Sequence, residues 1–206
     1  MLEIIAKGGP VMIPILFCSV LALAVVIERV YHLHHAKIDT QKFLDSVMDS
    51  LRRNRVREAI QSCEQTPGPI AHILKAGILK HDRPRQEVRE AIEDAALHEI
   101  PGLERNLGIL GTISHIAPLL GLLGTVTGLV RCFQIIEAKS GALTPINPGD
   151  LAGGIWEALL TTVAGLSVAI PTVVAYNYLI TRVKSLVNEM ERSATHLLDV
   201  LFMRTV

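Results

Sequence analysis

Three long stretches without charged residues most constrain what this chain can fold into. Residues 8–27, 106–130 and 158–181 contain 20, 25 and 24 residues without Asp, Glu, Lys or Arg. A helix of about 20 apolar residues crosses the hydrocarbon core of a bilayer, so each stretch is long enough to span it. Half of the 206 residues are hydrophobic, which agrees with this interpretation. The sequence therefore predicts an all-α integral membrane protein with three transmembrane helices.

Basic residues flank the three stretches unequally. Most lie after the first, before the second and after the third: Arg29, Lys37, Lys42, Arg105, Arg182, Lys184 and Arg192. The connection between the second and third stretches holds only Lys139, with Arg131 at its edge. Because cytoplasmic loops carry an excess of Lys and Arg, we expect the N-terminus and this connection to face outward and the C-terminus to face the cytoplasm.

These observations divide the chain into seven segments. They are an outer N-terminus at 1–9, transmembrane helices at 10–31, 106–133 and 151–180, a cytoplasmic helical region at 32–105, an outer (periplasmic) connection at 134–150, and a cytoplasmic C-terminal helix at 181–206. Apolar residues at helical spacing in the cytoplasmic region predict short helices that break at 67–69 and 82–84. A strong helix-forming run then leads toward the second span, so helices two and three should be long and extend into a cytoplasmic bundle.

Several function classes are disfavoured by composition. The twelve Lys and Arg residues of 32–105 balance twelve Asp and Glu residues, which makes nucleic-acid binding improbable. Cys18, Cys63 and Cys132 form no C-x-x-C pair and indicate neither a disulfide framework nor a metal site. No nucleophile elbow or phosphate-binding glycine loop is found. We therefore expect no covalent catalysis and no cofactor.

Glu157 is the most informative single residue, because it lies in the apolar run 151–180 that is otherwise uncharged. A charge near the middle of a membrane helix costs roughly 3 kcal/mol on insertion scales, so such residues face protein or water. At about 100° per residue, small and polar side chains share one face of this helix: Glu157, Ala158, Thr161, Thr162, Gly165, Ala169, Thr172 and Ala175. This face indicates an ion path; the alternative is close helix packing alone.

The second span has a matching face of small residues. Its members lie within about 80° of one another on the helix: Pro118, Gly121, Thr125, Gly128 and Cys132. Gly124 and Gly128 form a G-x-x-x-G pair, which usually indicates tight helix packing. The hydroxyl of Thr125 can bond back to its own helix or be offered to water and ions, and the sequence does not decide between the two.

Two segments carry a family resemblance. Residues 117–128 (APLLGLLGTVTG) and 153–177 (GGIWEALLTTVAGLSVAIPTVVAYN) resemble the MotA/TolQ/ExbB proton channel family, and within it ExbB or TolQ. The resemblance implies a proton-driven motor of the bacterial inner membrane. A homopentamer would surround two helices of an ExbD- or TolR-like single-span partner and transmit force to a TonB- or TolA-like protein.

The resemblance also assigns roles to particular residues. Glu157 matches the family's intramembrane glutamate, and Thr125 and Thr162 match threonines of its ion pathway. The remaining candidates would line the pore or pack the helices: Pro118, Gly121, Gly124, Gly128, Thr161 and Gly165. Whether protons or sodium ions are carried, and whether the TonB or the Tol system is served, stays open.

Two further polar residues have competing interpretations. Arg131 follows the second apolar run, where members of the family often carry a less charged residue. It is expected to snorkel at the outer interface, to pair with Glu137 or to repel cations near a pore mouth. His115, inside the second span, is expected to be a buried hydrogen-bonding residue; the alternative is a proton relay.

Overall fold

The computed structural model describes residues 8–35, 40–141, 145 and 147–202. Lys37 and most of the predicted outer N-terminus lie outside these residues. Within the described part the chain is helical and contains no strand, which confirms the all-α prediction. The helices are α1 Met12–His35, α2 Thr40–Arg52, α3 Val56–Gln65, α4 Pro69–Leu79, α5 Arg85–Glu104, α6 Leu107–Gly141 and α7 Pro148–Phe202.

Three helical stretches are long and apolar enough to cross a membrane. They are Met12–Leu33, Arg85–Gly141 and Pro148–Phe202. The second and third contain 57 and 55 residues, far more than the ~20 that a bilayer requires. Both therefore continue well beyond one bilayer thickness, as predicted for helices two and three.

The junction between α5 and α6 differs from the expected uninterrupted run. Helix α5 passes through Pro101 without ending there, as predicted, but it ends at Glu104. Asn106 then has a φ of 61°, a left-handed conformation that asparagine tolerates better than most residues. The helix is therefore interrupted at Arg105 and Asn106 before α6 begins at Leu107.

The chain divides into two compact units, the first of which contains α1 as far as Ile27, α6, and α7 as far as Tyr178. Its interior is built largely from small side chains, which include Ala22, Ala117 and Ala169. Large apolar side chains point outward instead, as at Phe17 and Val163, which are 67% and 61% exposed. An outward apolar surface with an interior of small residues is typical of packed membrane helices.

The second unit contains the end of α1, helices α2 to α5, and α7 from Leu179 onward. Its core is formed by fully buried aliphatic and thioether side chains, among them Val47, Ile73, Leu74, Val88, Met190 and Leu197. Helix α4 starts at Pro69, directly after Gly68; proline suits the first helical position because its missing N–H needs no partner there. The predicted break at 67–69 is confirmed.

Arg29 is a buried cation in the second unit, with a side chain only 2% exposed. Its Nη1 donates to the carbonyl oxygen of Gly102 at 3.2 Å, and its Nη2 donates to Glu28 at 2.7 Å. Gly102 lies in the last turn of α5, where carbonyl groups have no intrahelical partner. Arg29 therefore ties the end of α1 to the end of α5.

Candidate functional site

The N-terminus of α7 is fixed by local hydrogen bonds seven residues before Glu157. The backbone N–H of Asn147 donates to Asp150 Oδ2 at 2.9 Å, and the N–H of Asp150 donates back to the Asn147 carbonyl at 2.9 Å. This is one half of a capping box, with Pro148 at the favoured first helical position. Asp150 also pairs with Lys139 in the last turn of α6. The C-terminal end of α6 is thus joined to the N-terminal end of α7.

Glu157 lies about two turns beyond Asp150 along α7 and pairs with Arg131 of α6. Arg131 Nη1 donates to Glu157 Oε2. The Glu157 side chain is only 5% exposed, whereas that of Arg131 is 60% exposed. A buried charge is tolerated when it is paired. Arg131 supplies the positive charge that the apolar helix α7 does not provide for Glu157.

Sequence reasoning missed this pair, although the sequence holds a signal for it. Arg131 lies 11 residues before position 142, and Glu157 lies 10 residues after position 147. In two antiparallel helices joined by a short connection, residues at similar distances from that connection lie side by side. Lys139 and Asp150 obey the same rule. The three expected alternatives for Arg131, a snorkelling cation, a partner of Glu137 or a group that repels cations near a pore mouth, were not based on this rule.

Helices α6 and α7 approach closely where glycines replace side chains. A Cβ atom at Gly121 would lie 3.1 Å from the carbonyl oxygen of Thr161, and one at Gly128 would lie 2.5 Å from that of Gly154. A Cβ atom at Gly124 would overlap the side chain of Thr161. The G-x-x-x-G pair therefore serves helix packing, as expected of this motif.

The same contact continues toward the other end of α6. A Cβ atom at Gly165 would lie 2.6 Å from the carbonyl oxygen of Ala117 and 3.1 Å from the Cα of Gly121. Pro118, the next residue, is half-buried. Gly165 thus belongs to the α6–α7 contact of one chain.

The threonine hydroxyls of the site are all engaged with backbone carbonyls. Thr161 is fully buried and donates to the carbonyl of Glu157 at 2.9 Å. Thr162 has two acceptors, the Ala158 carbonyl of its own helix at 3.1 Å and the Gly121 carbonyl of α6 at 3.3 Å. A hydroxyl retains two acceptor lone pairs after donating its hydrogen, so the half-buried Thr162 oxygen can still accept from water or bind a cation, whereas Thr161 is closed to both by burial.

The hydroxyl of Thr125 bonds back to its own helix, which is one of the two alternatives that the sequence left open. Its hydroxyl donates to the carbonyl of Leu122 at 2.6 Å, and the residue is half-buried. It lies on α6 beside the glycine contact, and its bond runs to its own helix instead of to α7. The hydroxyl is therefore held in place but remains partly accessible.

The predicted small-residue face of α7 is confirmed by burial. Ala169 and Thr172, on the small-residue face, are 3% and 4% exposed, whereas Val163, Ile170 and Val174 on the opposite face are 61–65% exposed. In the described subunit, the glycines at 121, 124, 128 and 165 meet Thr161, Thr162 and their neighbours between α6 and α7. The apolar residues face away from this contact.

His115 departs from the expectation of burial. It lies on the exposed side of α6, with its Nδ1 2.7 Å from the carbonyl oxygen of Gly111. The expected hydrogen bond is present, but it is made to the preceding turn of the same helix. Burial was wrongly predicted because position within an apolar run does not reveal which way a side chain points.

The chain was compared with protein-family models and curated proteins. Residues 65–192 match the model of the MotA/TolQ/ExbB proton channel family. An ExbB homolog of Methanothermobacter thermautotrophicus is 29% identical over 92% of this chain, which spans 66% of that relative's length. The ExbB-like 3 protein of Synechocystis sp. is 35% identical over 82% of this chain and 80% of its own length. The Tol-Pal system protein TolQ of Haemophilus influenzae is 29% identical over 82% of this chain and 77% of its own length.

Proposed function

The chain belongs to the MotA/TolQ/ExbB proton channel family, and on that premise we propose that it is an ExbB/TolQ-like subunit of an ion-driven motor in the bacterial inner membrane. The proposed assembly is a homopentamer around the helices of an ExbD- or TolR-like single-span protein. Ion flow would be converted into mechanical work on a TonB- or TolA-like protein. No bond of a substrate is made or broken in this scheme.

The observation that carries the proposal is the buried carboxylate of Glu157 near the outer end of α7. It lies among the small and polar side chains of α6 and α7, and a partly exposed cation covers one of its oxygens. Ionisable side chains inside membrane spans typically mark ion paths. We propose that Glu157, Thr125 and Thr162 form the part of the ion pathway that this subunit contributes.

The exposed apolar surface of the first unit supports assembly with other helices. Leu119, Leu122 and Leu159 are 59–62% exposed on the described subunit, and such side chains must be covered by lipid or by other proteins. The proposed orientation, with the N-terminus outside and the C-terminus in the cytoplasm, rests on the distribution of Lys and Arg. The proposed segment boundaries rest on the stretches without charged residues.

A structural scaffold is the second candidate function, and the structure provides a specific reason to keep it. The glycines at 121, 124, 128 and 165 are used for packing within one chain, and Arg131 gives Glu157 a structural partner. Both features would serve a protein that only organises neighbouring helices. The two functions differ in whether ions cross the assembly.

The proposed assembly is tested by purifying the tagged full-length protein from native membranes in mild detergent and weighing the complex by native mass spectrometry. We expect five copies of this chain with two copies of a single-span protein that carries an aspartate in its span. The outer domain of that protein would then identify the process served.

An oligomer that contains no single-span partner at any detergent concentration would contradict the motor assembly and favour the scaffold. A complex with a different copy number would contradict the pentamer while leaving the partner intact. The masses separate these outcomes without any assay of activity.

A further inference from the structure

We propose that Arg131 determines which cation reaches Glu157, because its guanidinium occupies the carboxylate as a resident counter-ion and excludes sodium while a proton can still bind. This inference rests on the proposed role of Glu157 in the ion pathway. It assigns that pathway a residue that controls its selectivity.

Arg131 stands between the carboxylate and the surface of the subunit. Its Nη1 donates to Glu157 Oε2, and its side chain is 60% exposed against 5% for Glu157. An ion that approaches Glu157 from the exposed side therefore meets a fixed positive charge before it meets the carboxylate.

The second carboxylate oxygen is covered by backbone. Gly9 has a φ of 68°, and a Cβ atom there would overlap Glu157 Oε1. Glycine is the residue that adopts this left-handed conformation without strain and allows backbone to approach so closely. Arg131 and Gly9 thus cover one carboxylate oxygen each.

A cavity of about 610 Å³ lies on the exposed side of this pair, lined by Arg131, Ile135, Asp150, Gly153, Trp156 and Glu157. Both carboxylates of its lining already have a cationic partner, since Asp150 pairs with Lys139 and Glu157 pairs with Arg131. Neither is available to a metal cation unless that pair opens.

Protons and metal ions differ in what they require of such a site. A hard metal cation needs several oxygen ligands at once, and in this cavity it would also be repelled by the guanidinium. A proton needs one oxygen lone pair and no coordination shell. Selectivity in ion pathways commonly depends on charged side chains and oxygen ligands that line the path. Here the positive charge of Arg131 is the barrier to metal cations.

The test measures the modification of Glu157 by dicyclohexylcarbodiimide in the purified full-length protein, at one pH and one ionic strength, in sodium chloride or choline chloride. Mass spectrometry of the peptide that contains Glu157 reports the rate, and E157Q gives the background. We expect sodium to leave the wild-type rate unchanged. In R131Q we expect a rate about tenfold higher, because a partner of a buried ion pair is removed, and we expect sodium to slow it.

Two control variants make the comparison specific. R131K keeps a cation beside Glu157 and should behave like the wild type, which also covers the case in which R131Q folds poorly. K139Q removes the cation that pairs with Asp150, the other carboxylate of the cavity lining, and should leave Glu157 insensitive to sodium.

Sodium protection of Glu157 in the wild-type protein would overturn the inference. So would R131Q with the wild-type rate, or R131Q with a faster rate that sodium does not slow. Because the readout is cation access to one side chain, it can fail while ion flux through the complex is intact, and it can succeed where flux is absent. Failure of this inference is therefore distinguishable from failure of the proposed function.

Discussion

Glu157 and Arg131 form a pair in which the acid is buried and the base is largely exposed. Removing Arg131 would leave the buried carboxylate without its counter-charge, at a cost of about 3–5 kcal/mol, and removing Glu157 would leave the guanidinium without its acceptor, whereas removing both is often tolerated. A single substitution at Glu157 therefore mixes a structural effect with any effect on ion movement. Variants that change both residues separate the two.

Cys63 provides a residue-scale prediction in the second unit. Burial raises the pKa of its thiol from 9.0 to about 11, against an opposing effect of Lys75. At neutral pH, below both values, this shift lowers the thiolate fraction about 100-fold. Since the thiolate is the reactive form, we expect N-ethylmaleimide to modify Cys63 at least that much more slowly in the folded protein than in the unfolded chain.

The measurement is peptide mass spectrometry after timed labelling, with the same protein unfolded in denaturant as its own reference. Reactivity of folded Cys63 should stay low as the pH rises past 9 and increase only toward 11. Equal labelling rates in the folded and unfolded protein would show that the thiol is not held in the buried, neutral form.

The α6–α7 hairpin is the element that assembles the candidate site. The C-terminal end of α6 is fixed to the N-terminal end of α7 by the Lys139–Asp150 pair, and the two helices pack through glycines at 121, 124, 128 and 165. The register set by these contacts brings Arg131 to Glu157. Loss of packing at one glycine should therefore weaken the hairpin as a whole.

Gly124→Ala tests this packing, because the added methyl group would overlap the side chain of Thr161. Overpacking a close contact typically costs 1–3 kcal/mol, so we expect a lower midpoint of thermal unfolding in detergent. Gly108→Ala is the matched control on the same helix, since among the described residues a Cβ atom there meets nothing outside its own helical turn within 4 Å. A G124A protein as stable as G108A would show that the helices do not depend on this approach.

Periodicity was sufficient to predict the faces of these helices but not their mutual register. The burial of Ala169 and Thr172 and the exposure of Val174 follow from spacing along one helix, which a helical wheel represents correctly. The Arg131–Glu157 pair depends on how two helices align, which a wheel of either helix does not contain. The left-handed Asn106 was also missed, because a single backbone torsion leaves no periodic signal.

At the scale of the whole molecule, the two units differ in the chemistry of their surfaces. The first exposes large aliphatic side chains such as Leu119 and Val163. The second carries exposed ion pairs such as Arg53–Asp49 and Arg89–Glu93. Helix α7 is a single helix that contributes residues to both units. This division agrees with a protein that has one unit in the bilayer and one in water.

Proton flux through the purified complex with its partner, reconstituted in liposomes under an imposed membrane potential, decides whether Glu157 belongs to an ion pathway. The wild type is compared with E157Q and with the double variant R131Q/E157Q, after native mass spectrometry has shown that each assembles. We expect flux to be lost in both variants, including the double variant, which has no uncompensated charge at this position. Wild-type flux in R131Q/E157Q would contradict the account, because Glu157 would then be only the structural partner of Arg131.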